Sequence, residues 1–269
     1  MAIPPYVLVA AAVEGELSRL RRRMHAWAAE EIGRRAVARG RLCGVPVRLM
    51  VTGPGMANTV QALAAVIECR PPRLILQTGC AGAFRESGLG VGDVAVATEE
   101  IDAHLGIEPA NPDNPPEFLP FSVMAAETDA VPGRYPLPRR WAQAALAALR
   151  DDRTRAETRD AKSAGAAAPQ KVGVGSGPFL TVSTVTATDL GAERRYRHYG
   201  ACMEAMEGAG AAHVAAHYGL PFLEVRAASN LVGRRDRASW DLDLAFRRAT
   251  WAVMTILKHF RGLVEEKRP

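Results

Sequence analysis

The stretch that decides the fold spans residues 202–241 and reads CMEAMEGAGAAHVAAHYGLPFLEVRAASNLVGRRDRASWD. Its Ala- and Gly-rich part, residues 209–218, predicts a helix, and the apolar run at residues 220–225 predicts a buried strand. Glu207 then stands at the mouth of the helix and Asn230 near the carboxyl end of the strand. Ligands of α/β sheets bind at that edge. A carboxylate and a carboxamide brought to one rim suit a polar small molecule with several hydroxyls.

Outside this stretch, alternating strand and helix patterns predict one α/β domain over residues 1–269, with a mixed sheet flanked by helices. Further strands are predicted at residues 7–12, 41–52 (as a hairpin through Gly44), 73–78, 92–98 and 171–180. Further helices are predicted at residues 13–23, 59–69, 140–149, 188–199 and 241–264.

Two segments carry no such pattern. Residues 109–120 are rich in Pro and Asn, which predicts a loop. Residues 150–170 are charged and then rich in Ala and Gly, without an apolar period. We therefore expect an exposed, mobile excursion between strands there.

Composition argues against several classes of function. The net charge is +5 and the pI about 9.3, but the arginines are scattered and the aromatic residues do not interleave with them, which disfavours nucleic-acid binding. No apolar segment is long enough to span a bilayer. The N-terminus lacks a signal-peptide pattern, so a cytoplasmic location is predicted.

Metal and cofactor motifs are also missing. The four cysteines form no C-x-x-C pair, which favours free thiols in a reducing compartment. His213 and His217 are four residues apart, but the glutamate of an H-E-x-x-H motif is missing. These histidines are therefore interpreted as helix packing or surface residues, and no metal or cofactor is predicted.

The motif Met206-Glu207-Gly208, followed by a helix and by a strand ending in Arg226-x-x-Ser229-Asn230, resembles the nucleoside phosphorylase and nucleosidase superfamily. Its continuation S-N-x-V-G-x-R-D-x-x-x-W-D is most similar to the futalosine hydrolase family. The resemblance extends from residue 7 to about residue 260 and is weakest over residues 109–170. It implies a three-layer sandwich and a homodimer or higher homo-oligomer.

The resemblance also implies roles around the sugar. Glu16 would orient or deprotonate a water, although an acidic residue at a helix N-terminus is the plainer interpretation. Glu207 would hold the ribose hydroxyls, Met206 would pack on the sugar, and Arg226 would support this polar shell. Four further members of the implied binding set are Ser229 and, from a glycine turn beside ribose and base, Cys80, Ala81 and Gly82.

At the base, Phe179 would stack on the purine and the Leu180 backbone would contact its edge, but Phe179 as a plain core residue remains an alternative. Asn230 would face the base. A carboxamide cannot give up a proton at neutral pH, yet it can donate to N7 or O6, which suits a 6-oxopurine such as hypoxanthine. Asp236 could supply the missing acidity or pair with a neighbouring arginine, and both options stay open.

The attacking group is indicated by two absences. The glycine turn that starts at Gly53 could cradle an anion or simply be tight. In the related phosphorylases an arginine that grips phosphate stands where this chain has Gln77, and their G-D-P-x-R motif is missing here. Both differences favour water over phosphate as the nucleophile.

The function implied by the resemblance is hydrolysis of the N-ribosidic bond of futalosine, which releases hypoxanthine, in the alternative pathway to menaquinone. Two other enzymes remain as alternatives: a related purine nucleosidase of the methylthioadenosine or aminofutalosine type, and an inosine-type phosphorylase. A catalytically silent nucleoside-binding protein is a third, which the presence of both Glu16 and Glu207 disfavours.

Overall fold

The first strand shows why the chain builds layers on both faces of a sheet. In a strand, successive side chains point to opposite faces. Val7 and Val9 enter one hydrophobic cluster, while Leu8 and Ala10 enter the other. Both faces of this strand are therefore buried, which explains its continuous apolar sequence.

The computed structural model describes residues 5–111, 114–124, 131–162 and 172–265. Their strands are β1 (Val7–Ala11), β2 (His25–Ile32), β3 (Arg35–Leu42), β4 (Val45–Val51), β5 (Leu74–Ala83), β6 (Val94–Asp102), β7 (Arg134–Pro136), β8 (Val174–Thr181), β9 (Met203–Ala205) and β10 (Phe222–Leu231). Their helices are α1 (Glu14–Arg21), α2 (Met56–Cys69), α3 (Arg139–Lys162), α4 (Asp189–Tyr199), α5 (Gly208–His217) and α6 (Leu242–Glu265).

The strands form one mixed sheet that is partly closed. β5 pairs with β10, which pairs with β6, then β8 and β9 follow, and β9 returns to β5. From this ring the sheet continues openly through β1, β4, β3 and β2, while β7 adds to β6. β5 and β10 are parallel, so their carboxyl ends meet at one edge.

Helices cover both faces, as the predicted three-layer sandwich requires. α1, α3 and α6 pack with the cluster that contains Val7, whereas α2 and α5 pack with the cluster that contains Leu8. Within the described residues, none of these helices has the length and apolarity needed to cross a bilayer.

The predicted hairpin is confirmed. β3 and β4 are antiparallel and joined by Cys43 and Gly44, whose φ angles are 51° and 81°. Positive φ at both central residues is typical of a type I′ turn. The strand β2, which precedes this hairpin, was not predicted, since five of its eight residues are exposed and its sequence is polar and Ala-rich.

Three predicted boundaries were wrong. α3 runs to Lys162, so most of the excursion expected at residues 150–170 is helical, and residues 163–170 lie outside the described part. Charged residues with Ala are good helix formers even without an apolar stripe. The glycine turn expected after Thr78 is instead the second half of β5, and the strand expected at residues 220–225 continues to Leu231.

Phe260 offers a test of the face covered by α6. Its side chain is fully buried, and its ring meets that of Trp141 at 5.1 Å between centroids. Phe260→Ala should lower the free energy of unfolding by about 3–5 kcal/mol because it leaves a cavity. Urea unfolding measures this change. The control Leu190→Ala, at a side chain that is 57% exposed, should change it by less than about 0.5 kcal/mol; equal effects would contradict the packing described.

Candidate active site

Glu16 joins the start of α1 to β5. Its Oε2 accepts the backbone N–H of Val13 at 3.0 Å, and its Oε1 accepts that of Cys80 at 2.9 Å. The residue is only 3% exposed. The first bond caps the helix, as the plainer interpretation of Glu16 expected, and the second brings the same carboxylate to the glycine-containing half of β5.

A glycine makes this approach possible. Gly79 has φ of 146°, and a Cβ at this position would lie 2.3 Å from Oε1 of Glu16. Any side chain would therefore displace the carboxylate as well as strain the backbone. Gly79 thus leaves the space in which the Glu16 carboxylate reaches β5.

Glu207 is held just before the first residue of α5. Its Oε1 accepts the N–H of Gly55 at 2.9 Å, and its Oε2 accepts from Arg226 Nη2 at 2.9 Å and from the N–H of Met206 at 3.3 Å. It is 3% exposed. The glycine turn that could cradle an anion thus binds the protein's own carboxylate.

Arg226 connects these groups. Its Nε donates to Glu224 Oε1 at 2.5 Å and its Nη1 to the Cys80 carbonyl at 2.9 Å, in addition to the bond to Glu207. Burial works against its charge, but the carboxylates of Glu224, Glu207 and Glu16 outweigh burial and raise the pKa of Arg226. The guanidinium therefore stays charged and fixes Glu207 in place.

A second buried carboxyl lies beside Glu224. Glu100 is 1% exposed and accepts from Thr181 Oγ1 at 3.1 Å through its Oε2. Oε1 of Glu100 and Oε2 of Glu224 have no hydrogen-bond partner among the described residues. Burial and the neighbouring Glu224 raise the pKa of Glu100 well above its usual value. A proton on Glu100 lets the two carboxyls share one hydrogen bond.

The shared pair lies directly beneath the start of α5. A Cβ at Gly208 would come within 2.2 Å of Glu100 Oε2 and 2.5 Å of Glu224 Oε2. Only glycine fits this contact. The pair thus supports both the residue after Glu207 and, through Glu224, the guanidinium that holds Glu207.

As predicted, Asn230 lies at the carboxyl end of a strand, here β10. It is paired there with Gly82 of β5. Its Oδ1 is 2.8 Å from Ser229 Oγ, and its Nδ2 donates to the Leu231 carbonyl at 3.0 Å. Ser229 Oγ is also 3.2 Å from the Ala81 carbonyl. Asn230 and Gly82 line a cleft together with Val182, Val185, Thr186, Glu204, Ala205, Met206, Leu231, Val232, Gly233, Arg234, Arg235 and Trp240.

Phe179 and Leu180 are not among the residues that line this cleft. Both side chains are fully buried, Phe179 in the core beside α2 and α5 and Leu180 in a smaller cluster near α4. A ring without exposed surface offers no face to a purine, so the core interpretation of Phe179 holds in this structure. The apolar residues of this segment that line the cleft are Val182, which is fully buried, and Val185, which is 38% exposed.

Cys80 contributes through its backbone, and Ala81 is buried. The N–H of Cys80 binds Glu16 and its carbonyl binds Arg226. Burial, with the nearby Glu16 carboxylate, raises the pKa of the Cys80 thiol to about 12. The thiol therefore stays protonated near neutral pH and is unsuited to be a nucleophile.

The structure changes the interpretation of Asp236 and agrees with that of His213. Asp236 is exposed and caps a short helical turn by accepting the N–H of Ala238 at 3.0 Å, which neither option for it foresaw. His213 Nδ1 lies 3.1 Å from the Tyr135 hydroxyl, a helix-packing contact. No group of three potential metal ligands occurs among the described residues.

Sequence reasoning missed four polar residues of this region, namely Glu100, Thr186, Glu204 and Glu224. One signal was available: Glu224 and Arg226 are two residues apart in an apolar strand, so they share a face and can pair. Glu100 and Thr186 carry no such local signal, because their partners are remote in sequence.

Glu16 and Glu207 provide what a hydrolytic site needs from its acidic groups. Burial is the main cause that raises the pKa of Glu16, partly offset by Arg226 and by the N–H groups of Cys80 and Val13. A carboxylate with a raised pKa is a better proton acceptor near neutral pH. Glu207, fixed by three N–H groups, supplies negative charge that needs no rearrangement during a reaction.

The proton shared by Glu100 and Glu224 predicts a pH-dependent stability. A raised native pKa means that the folded state binds more protons than the unfolded one. The stabilising effect is therefore present at low pH and lost as pH rises towards the native pKa of Glu100. As pH rises from the ordinary carboxyl pKa of 4.5 towards the raised native pKa of Glu100, the free energy of unfolding of the native chain should fall relative to Glu100→Gln by up to about 1.4 kcal/mol per pH unit.

Urea unfolding across this pH range measures the difference between the two proteins. The matched control is Glu117→Gln, which removes an exposed carboxylate and should leave the pH dependence unchanged. Parallel stability curves for the native chain and Glu100→Gln would mean that Glu100 is not protonated in the fold.

Comparison with known proteins agrees with this geometry. Residues 6–265 match the family model described as the phosphorylase superfamily. The chain is 35% identical over 211 residues to a futalosine hydrolase of Streptomyces coelicolor, covering 76% of each chain. It is 27% identical over 258 residues to a 5'-methylthioadenosine/S-adenosylhomocysteine nucleosidase of Bacillus thuringiensis, covering 95% of this chain and 99% of the relative.

Among solved structures, the futalosine hydrolase of Helicobacter pylori superposes with a TM-score of 0.76 over 94% of this chain and 97% of that chain. The two sequences are 14% identical, so this likeness speaks for the fold alone. With the family model and the Streptomyces relative, it leads to one conclusion: the chain belongs to the phosphorylase superfamily and is a homologue of the futalosine hydrolases.

Proposed function

We propose that this protein is an N-glycosyl hydrolase that cleaves the N-ribosidic bond of futalosine, releases hypoxanthine and acts in the alternative menaquinone pathway. One observation carries the proposal: two carboxylates, Glu16 and Glu207, are each 3% exposed and each fixed by backbone N–H groups, and Met206, the residue before Glu207, lines the cleft together with Asn230. The homology to futalosine hydrolases supports the choice of substrate.

Cleavage of an N-ribosidic bond builds positive charge on the sugar ring and negative charge on the leaving base. The Glu207 carboxylate stabilises the positive charge on the sugar ring. This carboxylate has about four lone-pair sites, and three protein N–H groups already bind it. It can therefore accept a hydrogen bond from one ribose hydroxyl, fewer than the two that the family resemblance implies.

Glu16 serves as the group that orients and deprotonates the attacking water. Two N–H groups fix its oxygens, and burial raises its pKa. Arg226 is bonded to Glu207 and Glu224 rather than to Glu16. The guanidinium thus acts on the sugar side of the site, and its influence on Glu16 is electrostatic.

Two features support water as the nucleophile. Gln77, at the position of the phosphate-gripping arginine in the related phosphorylases, is fully buried, and neither its Nε2 nor its Oε1 has a hydrogen-bond partner among the described residues. The N–H of Gly55, in the turn where an anion could bind, is occupied by Glu207. A phosphate ion would have to displace that carboxylate.

A related purine nucleosidase is the second candidate, because the Bacillus relative aligns over almost its whole length. The name of that relative indicates adenosine-type substrates, which carry a 6-amino group, whereas the Asn230 amide suits a 6-oxopurine. A homodimer or higher homo-oligomer and a cytoplasmic location remain part of the proposal. The exposed Phe118 and Phe121, 61% and 62% accessible, would suit a contact with a second copy.

The experiment that tests the function is product identification. Incubation with futalosine should release hypoxanthine at a rate that does not depend on phosphate, with no ribose 1-phosphate-type product. Inosine, methylthioadenosine and aminofutalosine serve as comparison substrates, and kcat/KM is measured for each with and without phosphate. A phosphate requirement would refute the hydrolase, a preference for methylthioadenosine would favour the second candidate, and no turnover would indicate a binding protein.

Glu16→Gln tests the role of the water-activating group. Its kcat should fall by about 10²- to 10⁴-fold, because the amide cannot accept a proton. In the native chain, kcat/KM should decline as pH falls through a value above 4.5, since burial raises the pKa of Glu16 above that ordinary value.

The matched control is Glu14→Gln in the same turn of α1. Glu14 is exposed and paired with Arg21 at 2.6 Å. Its loss should leave kcat within about twofold, because exposed ion pairs contribute little. Normal kinetics for Glu16→Gln, with an unchanged melting temperature, would remove Glu16 from the mechanism.

A further inference from the structure

A further buried carboxylate, that of Glu204, lines the same cleft as Asn230 and has no part in the mechanism above. It is 6% exposed. Glu204 belongs to β9, which pairs with β5 opposite Gly82. Gly82 is in turn paired with Asn230, so Glu204 and Asn230 flank the same residue of β5.

Three donors hold this carboxylate. Oε1 accepts the backbone N–H of Thr186 at 3.0 Å, while Oε2 accepts the Thr186 hydroxyl at 2.5 Å and Arg195 Nη1 at 2.8 Å. Arg195 also donates to the Thr184 carbonyl at 3.1 Å and is not one of the residues that line the cleft. The ion pair thus holds Glu204 through a residue that lies outside the cleft lining.

These bonds decide what this part of the wall can offer a ligand. A carboxylate has about four lone-pair sites, so one acceptor site of Glu204 remains. The N–H of Thr186, which would otherwise be a donor in the cleft wall, is used by Glu204. The remaining capacity at Glu204 is that of a negatively charged acceptor.

Asn230 has the complementary capacity. Its Oδ1 accepts from Ser229 Oγ at 2.8 Å and one of its N–H groups donates to the Leu231 carbonyl at 3.0 Å. A carboxamide carries two N–H groups, so one donor is left. The cleft therefore offers an anionic acceptor from Glu204 and a donor from Asn230.

This pair matches one class of purine. A 6-oxopurine carries a proton on N1 beside the acceptors O6 and N7, whereas a 6-aminopurine carries a bare N1 beside a donating amino group. We propose that Glu204 is a specificity-determining residue that accepts the N1 proton of a 6-oxopurine, with Asn230 donating to O6 or N7. The inference rests on the proposed function and assigns the residue that selects its base.

The reason for selectivity is the cost of an unmatched charge. The bare N1 of adenine would turn its lone pair towards the Glu204 carboxylate, with no proton between them. Buried polar groups left unpaired in this way reject the wrong ligand strongly. Glu204→Gln would replace the anion by an amide that can donate to N1 of adenine.

The test measures dissociation constants of the free bases hypoxanthine and adenine by calorimetry. The native chain should bind hypoxanthine more tightly than adenine. Glu204→Gln should reduce the ratio of the adenine dissociation constant to the hypoxanthine dissociation constant by about 100-fold. The matched control is Glu193→Gln, which removes an exposed carboxylate that pairs with Arg197 at 2.7 Å and should leave the ratio unchanged. An unchanged ratio in folded Glu204→Gln would overturn the proposal.

A probe of the native chain covers the case in which the variant does not fold. 1-Methylhypoxanthine lacks the N1 proton and should bind at least about 10-fold more weakly than hypoxanthine. Equal binding of the two would overturn the role of Glu204.

Base binding does not require turnover, which separates this inference from the proposed function. Selective binding of hypoxanthine that depends on Glu204, in a protein that leaves futalosine intact, would refute only the hydrolase. If the protein cleaves futalosine but Glu204→Gln leaves the ratio of the adenine and hypoxanthine dissociation constants unchanged, only the inference is refuted.

Discussion

The buried guanidinium of Arg226 is the group on which the rest of this site depends. A cation that is 2% exposed loses several kcal/mol of hydration, which only close and well-oriented partners offset. Its partners come from three places: Glu207 before α5, Glu224 on β10 and the Cys80 carbonyl on β5. One charge thus ties a helix to two strands, and the geometry of the Glu207 carboxylate follows from it.

The same cluster explains the charge balance around the cleft. Arg226 faces Glu207 and Glu224, and Glu16 is close enough to raise its pKa as well. A fourth carboxyl, Glu100, is kept neutral by the proton that it shares with Glu224, because burial raises its pKa. The surplus of negative charge that remains is fixed before any substrate binds, and it suits a reaction in which the sugar becomes positively charged.

Carboxylates in this protein repeatedly take the place of an external anion. Glu207 binds the N–H of Gly55 in the glycine turn before α2, and Glu204 binds the N–H of Thr186 in the cleft wall. In both cases a backbone donor that could serve a ligand becomes the support of an acidic side chain. The protein therefore offers hydrogen-bond acceptors where it would otherwise offer donors. Acceptors suit the N–H and O–H groups of a ligand, whereas phosphate oxygens need donors.

The sequence by itself determined the strands and most helices of an α/β sheet, because buried strands and helix starts leave periodic and local signals. Its resemblance to a known family implied the three layers and the grouping of Glu16, Glu207 and Arg226. Only the tertiary structure decided which side chains face the cleft. Phe179 is turned into the core and Val185 is exposed. Glu100 meets Glu224, and Thr186 meets Glu204, across pairings of remote segments. The physical reason is that in a strand buried on both faces, sequence cannot tell which face carries a ligand; this depends on the neighbours that the sheet brings together.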